Sequence, residues 1–460
     1  MPGPVEENNI NLDIGSDRQL LIDDLLLDPD QSSSVTRTLN QPREIRRVLK
    51  PEHSWEVLGI QGYGTLIEDA GELKLYYLAM GMEVKAMLCL ATSTDGLNWK
   101  KPMLGLVEYQ GSKQNNILPI DAMEGSVFID PNAAPDKRYK LVHNRNWPDI
   151  KTAGIYIAYS GDGINWTIPE ERVFPFCPDS EPVAFWDDRI SKYVIYFRTW
   201  NPGRGVGRVE TDNITAPWPY DKSVESYYIW GEDSIPATSK EVQNVLLRDE
   251  QDPENLHLYT NAAIKYPFAP NMYFAFPSAY LHYDSPEWEA MAVSVSDGTF
   301  ETQLAASRDG VSWERIRQSY VPAGFHDGLN LRMISMLLGM TRRGPSLYQY
   351  FAGFARTHGQ HHVWREDARC AEEWSKRDLG GIYIAVQRMD GFLSMDAAYT
   401  GGTLVTKPFV FSGSRLSLNI NTSGSGKARI GILAANSGVC LYFCAIVMNF
   451  EYWCRISKCE

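Results

Sequence analysis

Four acidic residues stand where an apolar run is about to begin. Glu124 precedes Ser126-Val-Phe-Ile129, Asp179 and Glu181 lie in Cys177-Pro-Asp-Ser-Glu-Pro182, and Asp327 follows His326 in Gly324-Phe-His-Asp-Gly328. Two carboxyl groups facing one another across a pocket can divide acid work from base or nucleophile work, which is what cleavage of a glycosidic bond requires. Asp179 is the first candidate, because Pro178 and Pro182 stiffen its segment; the alternative is an Asx-turn cap on a loop. Residues at i and i+2 of one strand share a face only about 7 Å apart. Glu181 therefore pairs poorly with Asp179 across a bond, and Asp327 or Glu124 is the better partner. For Glu124 the competing reading is a solvated loop residue.

Hydrogen-bonding and cationic side chains recur at the ends of the neighbouring Tyr-rich runs. Arg198 closes Tyr193-Val-Ile-Tyr-Phe-Arg198 and can hold a carboxylate or clamp an acidic ligand group. Tyr280 with His282, together with His326 and His358, are candidate ligand hydrogen-bonders. The cluster His358-x2-His361-His362 invites a metal, but a solvated loop suits it better, and neither metal nor cofactor is expected.

What must position these residues is a repeat. Ser-x-Asp-Gly-x-x-Trp occurs at Ser93–Trp99, Ser160–Trp166 and Ser307–Trp313, with a weaker copy at Glu210-Thr-Asp212-Asn-Ile-Thr-Ala-Pro-Trp218. Each copy follows a short apolar run, and Asp-Gly after a strand is a turn signal. Upstream lie pairs of apolar and Tyr-rich runs whose first members begin near 64, 126, 182, 261 and 333, in steps of 62, 56, 79 and 72 residues. A four-stranded blade with its turns needs roughly 40–50 residues or more, so each step holds one blade. Five blades close a ring and remove exposed sheet edges. Asp69, Asp130 and Asp187 end their strands and read as structural caps; Glu56 is the only, remote, acid of blade one, and blade four offers Tyr259 and Asn261.

Composition sets the class. The chain has 460 residues, 44% hydrophobic and 12% aromatic, with a net charge of -13. Aromatic richness suits pleated sheets, and it also suits stacking on sugar faces. The acidic balance and the lack of a Lys/Arg-rich run exclude a nucleic-acid partner. No apolar stretch is long enough to span a membrane, and the start lacks the basic and apolar regions of a signal peptide. A cytoplasmic location is the default expectation; oligomeric state is left open.

The expected architecture is all-β: a five-bladed β-propeller over 51–380, an N-terminal segment 1–50 packing on it, and an incomplete C-terminal β-sandwich over 381–433. The run 434–460 reads as an atypical tail with no partner strands left, a truncated or mistranslated end. Cys440-x3-Cys444 and Cys454-x4-Cys459 superficially resemble a zinc site, which the same reading of the tail displaces.

With these boxes in place, the chain resembles the five-bladed glycoside hydrolases of families 32, 43, 68, 117 and 130, and more narrowly a glycosyl hydrolase family 32-like bacterial branch. The resemblance rests on Leu21-Ile-Asp-Asp24, Ala91–Pro102, Gly105-Leu-Val-Glu-Tyr-Gln-Gly111, Val127-Phe-Ile-Asp-Pro131, Phe185-Trp-Asp187, Ser307–Trp313 and Asp390-Gly-Phe-Leu-Ser-Met-Asp396. It implies hydrolysis of an oligo- or polysaccharide in the central funnel, with Asp179 as an acidic pocket residue. It also implies an Asp at the start of blade one's inner strand. Here that stretch is Gly59-Ile-Gln-Gly-Tyr-Gly64, with no carboxylate. Two alternatives therefore stand beside hydrolysis. One is a glycoside phosphorylase, which needs Arg198 and a second cation; the other is a non-catalytic carbohydrate-binding propeller.

Overall fold

Each Asp-Gly box is the hairpin between the third and fourth strands of an antiparallel sheet. The computed structural model describes residues 12–83, 85–121, 123–145, 152–176, 178–200, 203–219, 226–230, 233–237, 241–283, 297–360, 368–422, 424, 426–434, 443–451 and 454–459. Blade one runs Ile60–Asp69, Glu72–Met80 and Ala86–Ser93, with bridges at Lys100 and Ile117 along its outer edge. Blade two is Met123–Ile129, Tyr139–Arg145, Gly154–Ser160 and Trp166–Thr167; blade three is Val183–Asp187, Lys192–Thr199, Gly205–Thr211 and Gln243–Leu246. Blade four has a broken first strand, Leu256–Leu258 and Ile264–Lys265, and a broken second, Tyr273–Ala275 and Ser278–His282. Gly298–Ser307 and Glu314–Val321 complete it. Blade five is Met333–Met336, Ser346–Phe354, Gly380–Arg388 and, as fourth strand, Glu44–Leu49 from near the N-terminus. Successive blades touch around the ring, and blade five returns to blade one. The fold is a five-bladed β-propeller.

The boxes are also blade-to-blade joints. Asp95 Oδ1 accepts the backbone N–H groups of Leu97 and Asn98, both at 2.8 Å, and Ser93 Oγ accepts that of Gly96 at 2.9 Å. The other two boxes repeat this pattern. A tyrosine of the preceding blade then donates to the box-glycine carbonyl: Tyr350 to Gly96 at 2.8 Å, Tyr76 to Gly163 at 3.0 Å and Tyr196 to Gly310 at 2.7 Å. The box tryptophan stands edge-on to the same ring, at 87° for Trp99, 78° for Trp166 and 76° for Trp313. The glycine is required twice over at Gly163: its φ is +78°, and a Cβ there would meet Tyr76 Oη at 2.1 Å.

A second joint uses the strand-ending acids. Asp69 accepts from Tyr139 Oη of blade two at 2.6 Å, and Asp130 from Tyr193 Oη of blade three at 2.9 Å. Asp187 accepts from Tyr273 Oη of blade four. Each acid also has a cation: Arg138, Lys140 and Lys265 respectively. Buried apolar clusters fill the spaces between blades, such as Val142, Ile157, Phe174, Ile195 and Phe197 between blades two and three.

The chain divides into two compact units. Unit 2, the propeller, is Pro42–Lys265 and Met272–Gln387; unit 1 is Met1–Gln41, Tyr266–Asn271 and Arg388–Glu460. This moves two expected boundaries. Ile382-Tyr-Ile-Ala-Val386, read as sandwich, is blade five's third strand, and Glu44–Leu49, read as a packing segment, is its fourth. Unit 1 is a β-sandwich built from two sheets. One sheet joins Leu12–Asp13, Phe409–Val410, Phe443–Glu451, Gly402–Val405 and Lys427–Ala434; the other joins Val35–Leu39, Leu393–Ala397, Cys454–Cys459 and Leu418–Asn421. Two strands of 434–460 therefore have partners, and the described ones lie within 393–434. The side chains of Cys440, Cys444, Cys454 and Cys459 lie outside the described residues. Leu26, Leu27, Met395, Leu404 and Phe409 form the described core of this unit.

Candidate active site in the propeller funnel

The inner strands reach the funnel through strained backbone. Tyr63, Glu124, Asp179 and Ala262 have φ of 65°, 38°, 53° and 40°, one at the approach to each of the first four inner strands, or within one. Non-glycine residues in this region cost of order 1–3 kcal/mol each and gather where side chains must be aimed. In blades one and two the strain coincides with register shifts, between Gln61 and Thr65 and between Met123 and Gly125.

Arg198 organises the site. Its guanidinium is 1% exposed; Nη1 lies 3.0 Å from Asp179 Oδ2, while Nε and Nη2 donate to Tyr259 O at 3.2 and 2.7 Å. It stacks 4.0 Å from the Tyr259 ring centroid. Burial opposes the Arg198 charge, but Tyr259, Asp179, Tyr63 and Glu124 outweigh it and raise its pKa. The same groups reappear around Tyr63, whose hydroxyl burial pushes well above its ordinary value, helped by Tyr259, Glu124 and Asp179. Tyr63, Glu124, Asp179, Arg198 and Tyr259 thus share one electrostatic neighbourhood.

Glu181 differs sharply from Asp179, two residues away. It is 1% exposed, and its Oε1 has no hydrogen-bond partner among the described residues. Burial first, and then the neighbouring Glu124 charge, push its carboxyl well above the usual carboxylate range. Glu181 therefore holds its proton more tightly than an ordinary carboxyl, whereas Asp179 is the ion-pair partner of Arg198. Both precede the strand Val183–Asp187 and, with Asp179 left-handed, do not lie on one extended face.

A second layer extends from Tyr259 across blade four. His358 Nε2 lies 3.0 Å from Tyr259 Oη and its Nδ1 3.3 Å from Tyr280 Oη. His282 Nε2 is 3.2 Å from His257 Nδ1, which Arg204 Nη1 approaches to 3.0 Å. Burial, joined by neighbouring cations and the facing histidine, lowers His257 to about 4 and His282 to about 3, so both are neutral rings near neutrality. Arg204 is half-buried and shares the Trp200 and Tyr259 rings with Arg198, at 5.2 and 5.7 Å. Burial and the Arg198 charge lower its pKa, and its buried Nε lacks a partner among the described residues.

The structure thus gathers Glu124, Asp179, Glu181, Arg198, Tyr280, His282 and His358. It does not gather Asp327 and His326. Gly324–His326 and Leu329–Leu331 form their own hairpin, with Asp327-Gly328 as its left-handed tip. Asp327 Oδ2 accepts from Arg47 N on the outermost strand of blade five at 3.1 Å, and His326 Nε2 sits 2.7 Å from Pro322 O. Glu56 is a buried anchor bound by Lys101 and Tyr77, both at 2.7 Å. Sequence reasoning missed Tyr63, Trp200, Arg204 and His257 as site members and gave Tyr259 no role. The available signal was the clustering Arg198-x-Trp200-x3-Arg204 at one hairpin, and Tyr63 standing between two glycines where the acid was sought. Among the described residues no group of three or more His, Cys, Asp or Glu could hold a metal ion; His361 and His362 lie outside them. No described helix is long and apolar enough to cross a membrane.

No protein-family model matches the chain, and no curated protein matches it significantly. Among solved structures it is similar to a thermostable family-43 glycoside hydrolase, at 13% identity and a TM-score of 0.42 over 73% of this chain and 92% of that one. It is similar to an endo-arabinase from Bacteroides thetaiotaomicron at 8% identity and a TM-score of 0.41, over 74% of this chain and 98% of the other. An exo-β-1,3-galactanase from Phanerochaete chrysosporium matches at 10% identity and a TM-score of 0.37, over 92% and 99% of the two chains.

Proposed function

We propose that the propeller funnel is the active site of a glycoside hydrolase acting on an oligo- or polysaccharide, with Glu181 as general acid and Glu124 as the facing carboxylate. The observation that carries this is the buried Glu181 carboxyl, with Oε1 unpartnered among the described residues and its proton affinity raised by burial and by the Glu124 charge. Two titratable groups whose surroundings push their proton affinities apart are the signature of an acid and a base sharing a substrate. Glu181 gives its proton to the leaving oxygen as the glycosidic bond breaks. Glu124 either activates water or attacks the anomeric carbon. Asp179 and Arg198 are positioning residues that fix Tyr259, and Tyr63 presents an O–H to the sugar. This division departs from the glycosyl hydrolase family 32-like resemblance at one point: Tyr63 stands where that resemblance calls for an acid, and Glu124 of blade two takes the acid's part.

A phosphorylase is the second reading, and Arg204 favours it. Two guanidiniums, Arg198 and Arg204, share the Trp200 and Tyr259 rings, and Arg204 has no carboxylate partner among the described residues. Such a cation suits an incoming phosphate or an acidic sugar.

Aryl glycosides assayed with and without phosphate decide between them. The hydrolase reading expects turnover without phosphate. It also expects Glu181→Gln to lose far more activity on poor leaving groups than on dinitrophenyl glycosides, which need no proton. Equal losses on both would remove Glu181 from the acid role, and strict phosphate dependence would replace hydrolysis by phosphorolysis.

A further inference from the structure

A cavity of about 370 Å³ opens between the ends of blades four and five, outside the cluster just described. Its lining includes Tyr283, Asp297, Arg332, Thr357, Trp374 and Arg377. Tyr283 follows His282 and Thr357 precedes His358, so the cavity uses the residues next in sequence to two site histidines.

Two buried polar atoms belong to residues of its lining. Asp297 is 4% exposed; its Oδ1 accepts the backbone N–H of Gly298 at 2.8 Å and of Gly359 at 2.6 Å, while its Oδ2 has no partner among the described residues. Thr357 is 5% exposed and its Oγ1 is equally unmatched. A buried polar group left without a partner is costly, so both atoms reward a ligand that supplies one. The walls are aromatic. Trp374 carries Arg377 over its ring at 4.6 Å, and the Tyr283 hydroxyl accepts from Arg332 at 3.0 Å.

The lining carries both signs of charge, Asp297 and Asp378 beside Arg332 and Arg377, with Asp378 itself held by Arg47 at 2.6 Å. A carboxylate oxygen that only accepts, a hydroxyl and two aromatic faces suit a neutral polyhydroxylated ring. We infer that this cavity is a saccharide-binding pocket, separate from the funnel, that holds one or two neutral sugar units with ring hydroxyls on Asp297 Oδ2 and Thr357 Oγ1. It does not depend on the funnel being catalytic.

The test uses the full chain and the methyl glycosides of glucose, galactose, mannose, xylose and arabinose, with binding read by saturation-transfer NMR and calorimetry. Asp297→Asn keeps Oδ1 for the two backbone donors and replaces the Oδ2 acceptor by a donor, and Thr357→Val keeps the shape. At least one glycoside should bind, with affinity falling tenfold or more in Asp297→Asn and severalfold in Thr357→Val, and unchanged in Glu181→Gln. Thermal midpoints identify any variant that fails to fold, and the other variant then carries the comparison. Unaltered binding in both folded variants, or no binding by any of the five glycosides, overturns the pocket. Loss of activity in Glu181→Gln with retained binding separates this result from that of the funnel.

Discussion

Arg198 Nη1 lies 3.0 Å from Asp179 Oδ2, and the same guanidinium donates twice to the backbone carbonyl of Tyr259. Neutralising Asp179 leaves a buried cation without its counter-charge. Hydrogen bonds to charged groups contribute about 1.5–3 kcal/mol, and Asp179 is partly exposed, so Asp179→Asn should lower stability by roughly 1–2 kcal/mol. Because Arg198 also fixes Tyr259, kcat on aryl glycosides should fall by about 10²-fold. Denaturant midpoints and steady-state kinetics measure the two effects; full activity in the variant would remove Asp179 from the site.

The Glu181 proton gives the activity a pH signature. Its pKa is raised by burial and by Glu124, so the acid form persists above the usual carboxylate range and activity fails on the alkaline side as that proton leaves. Removing the like charge stabilises ionised Glu181. Glu124→Gln should therefore move the alkaline limb of the residual activity to lower pH, and a pH profile on a glycoside with a poor leaving group, which needs the Glu181 proton, displays it. An unmoved or raised limb contradicts the coupling.

The blade joints predict where the ring is brittle. Tyr273→Phe removes the donor to Asp187, and Tyr196→Phe the donor to Gly310 O. Each should cost about 1–2 kcal/mol of unfolding free energy, more for Tyr273 because its acceptor is charged. Gly163→Ala combines left-handed strain with the collision at Tyr76 Oη and should cost roughly 2–4 kcal/mol. Urea titrations rank the three variants, and Gly163→Ala should come out least stable.

His143, fully buried in blade two, supplies an acid-sensitive element. Burial lowers its pKa to about 4 from 6.5, and its Nε2 has no partner among the described residues. The unfolded chain thus binds the extra proton between these values. This contribution to stability is complete above pH 6.5 and is lost as pH falls through that window toward 4. It amounts to about 3 kcal/mol between pH 7 and pH 4. In His143→Gln the stability difference between those pH values should shrink by that amount; an unchanged difference would show that His143 titrates normally.

What the sequence disclosed follows range of action. The boxes at Ser93, Ser160 and Ser307 are short turns shaped by Ser and Asp hydrogen bonds to nearby backbone, so the blades were readable one by one. Pairing between Gly380–Arg388 and Glu44–Leu49 spans most of the chain and left no local mark. The strands of 434–460 pair within 393–434, mostly with segments tens of residues upstream that no tight turn links to them. In the site, Asp179, Glu124 and Arg198 were legible from their places at strand ends. Asp327 misled because Gly324-Phe-His-Asp-Gly328 reads alike as a strand approach and as a hairpin tip, and only the pairing of Phe325 with Asn330 distinguishes them. The contrast between Asp179 and Glu181 was invisible, because it depends on burial.

The closing of blade five by Glu44–Leu49 carries a consequence for synthesis on the ribosome. That strand emerges early, yet its partner Gly380–Arg388 is made more than three hundred residues later. At roughly 5–20 residues per second, it waits on the order of tens of seconds. Four blades can assemble in order behind the exit tunnel while the first-made propeller strand stays unpaired. Its charged residues Glu44, Arg46 and Arg47, set among Ile45 and Val48, keep that waiting edge soluble. The nascent propeller is an open arc until the last blade arrives to meet the oldest piece of the ring.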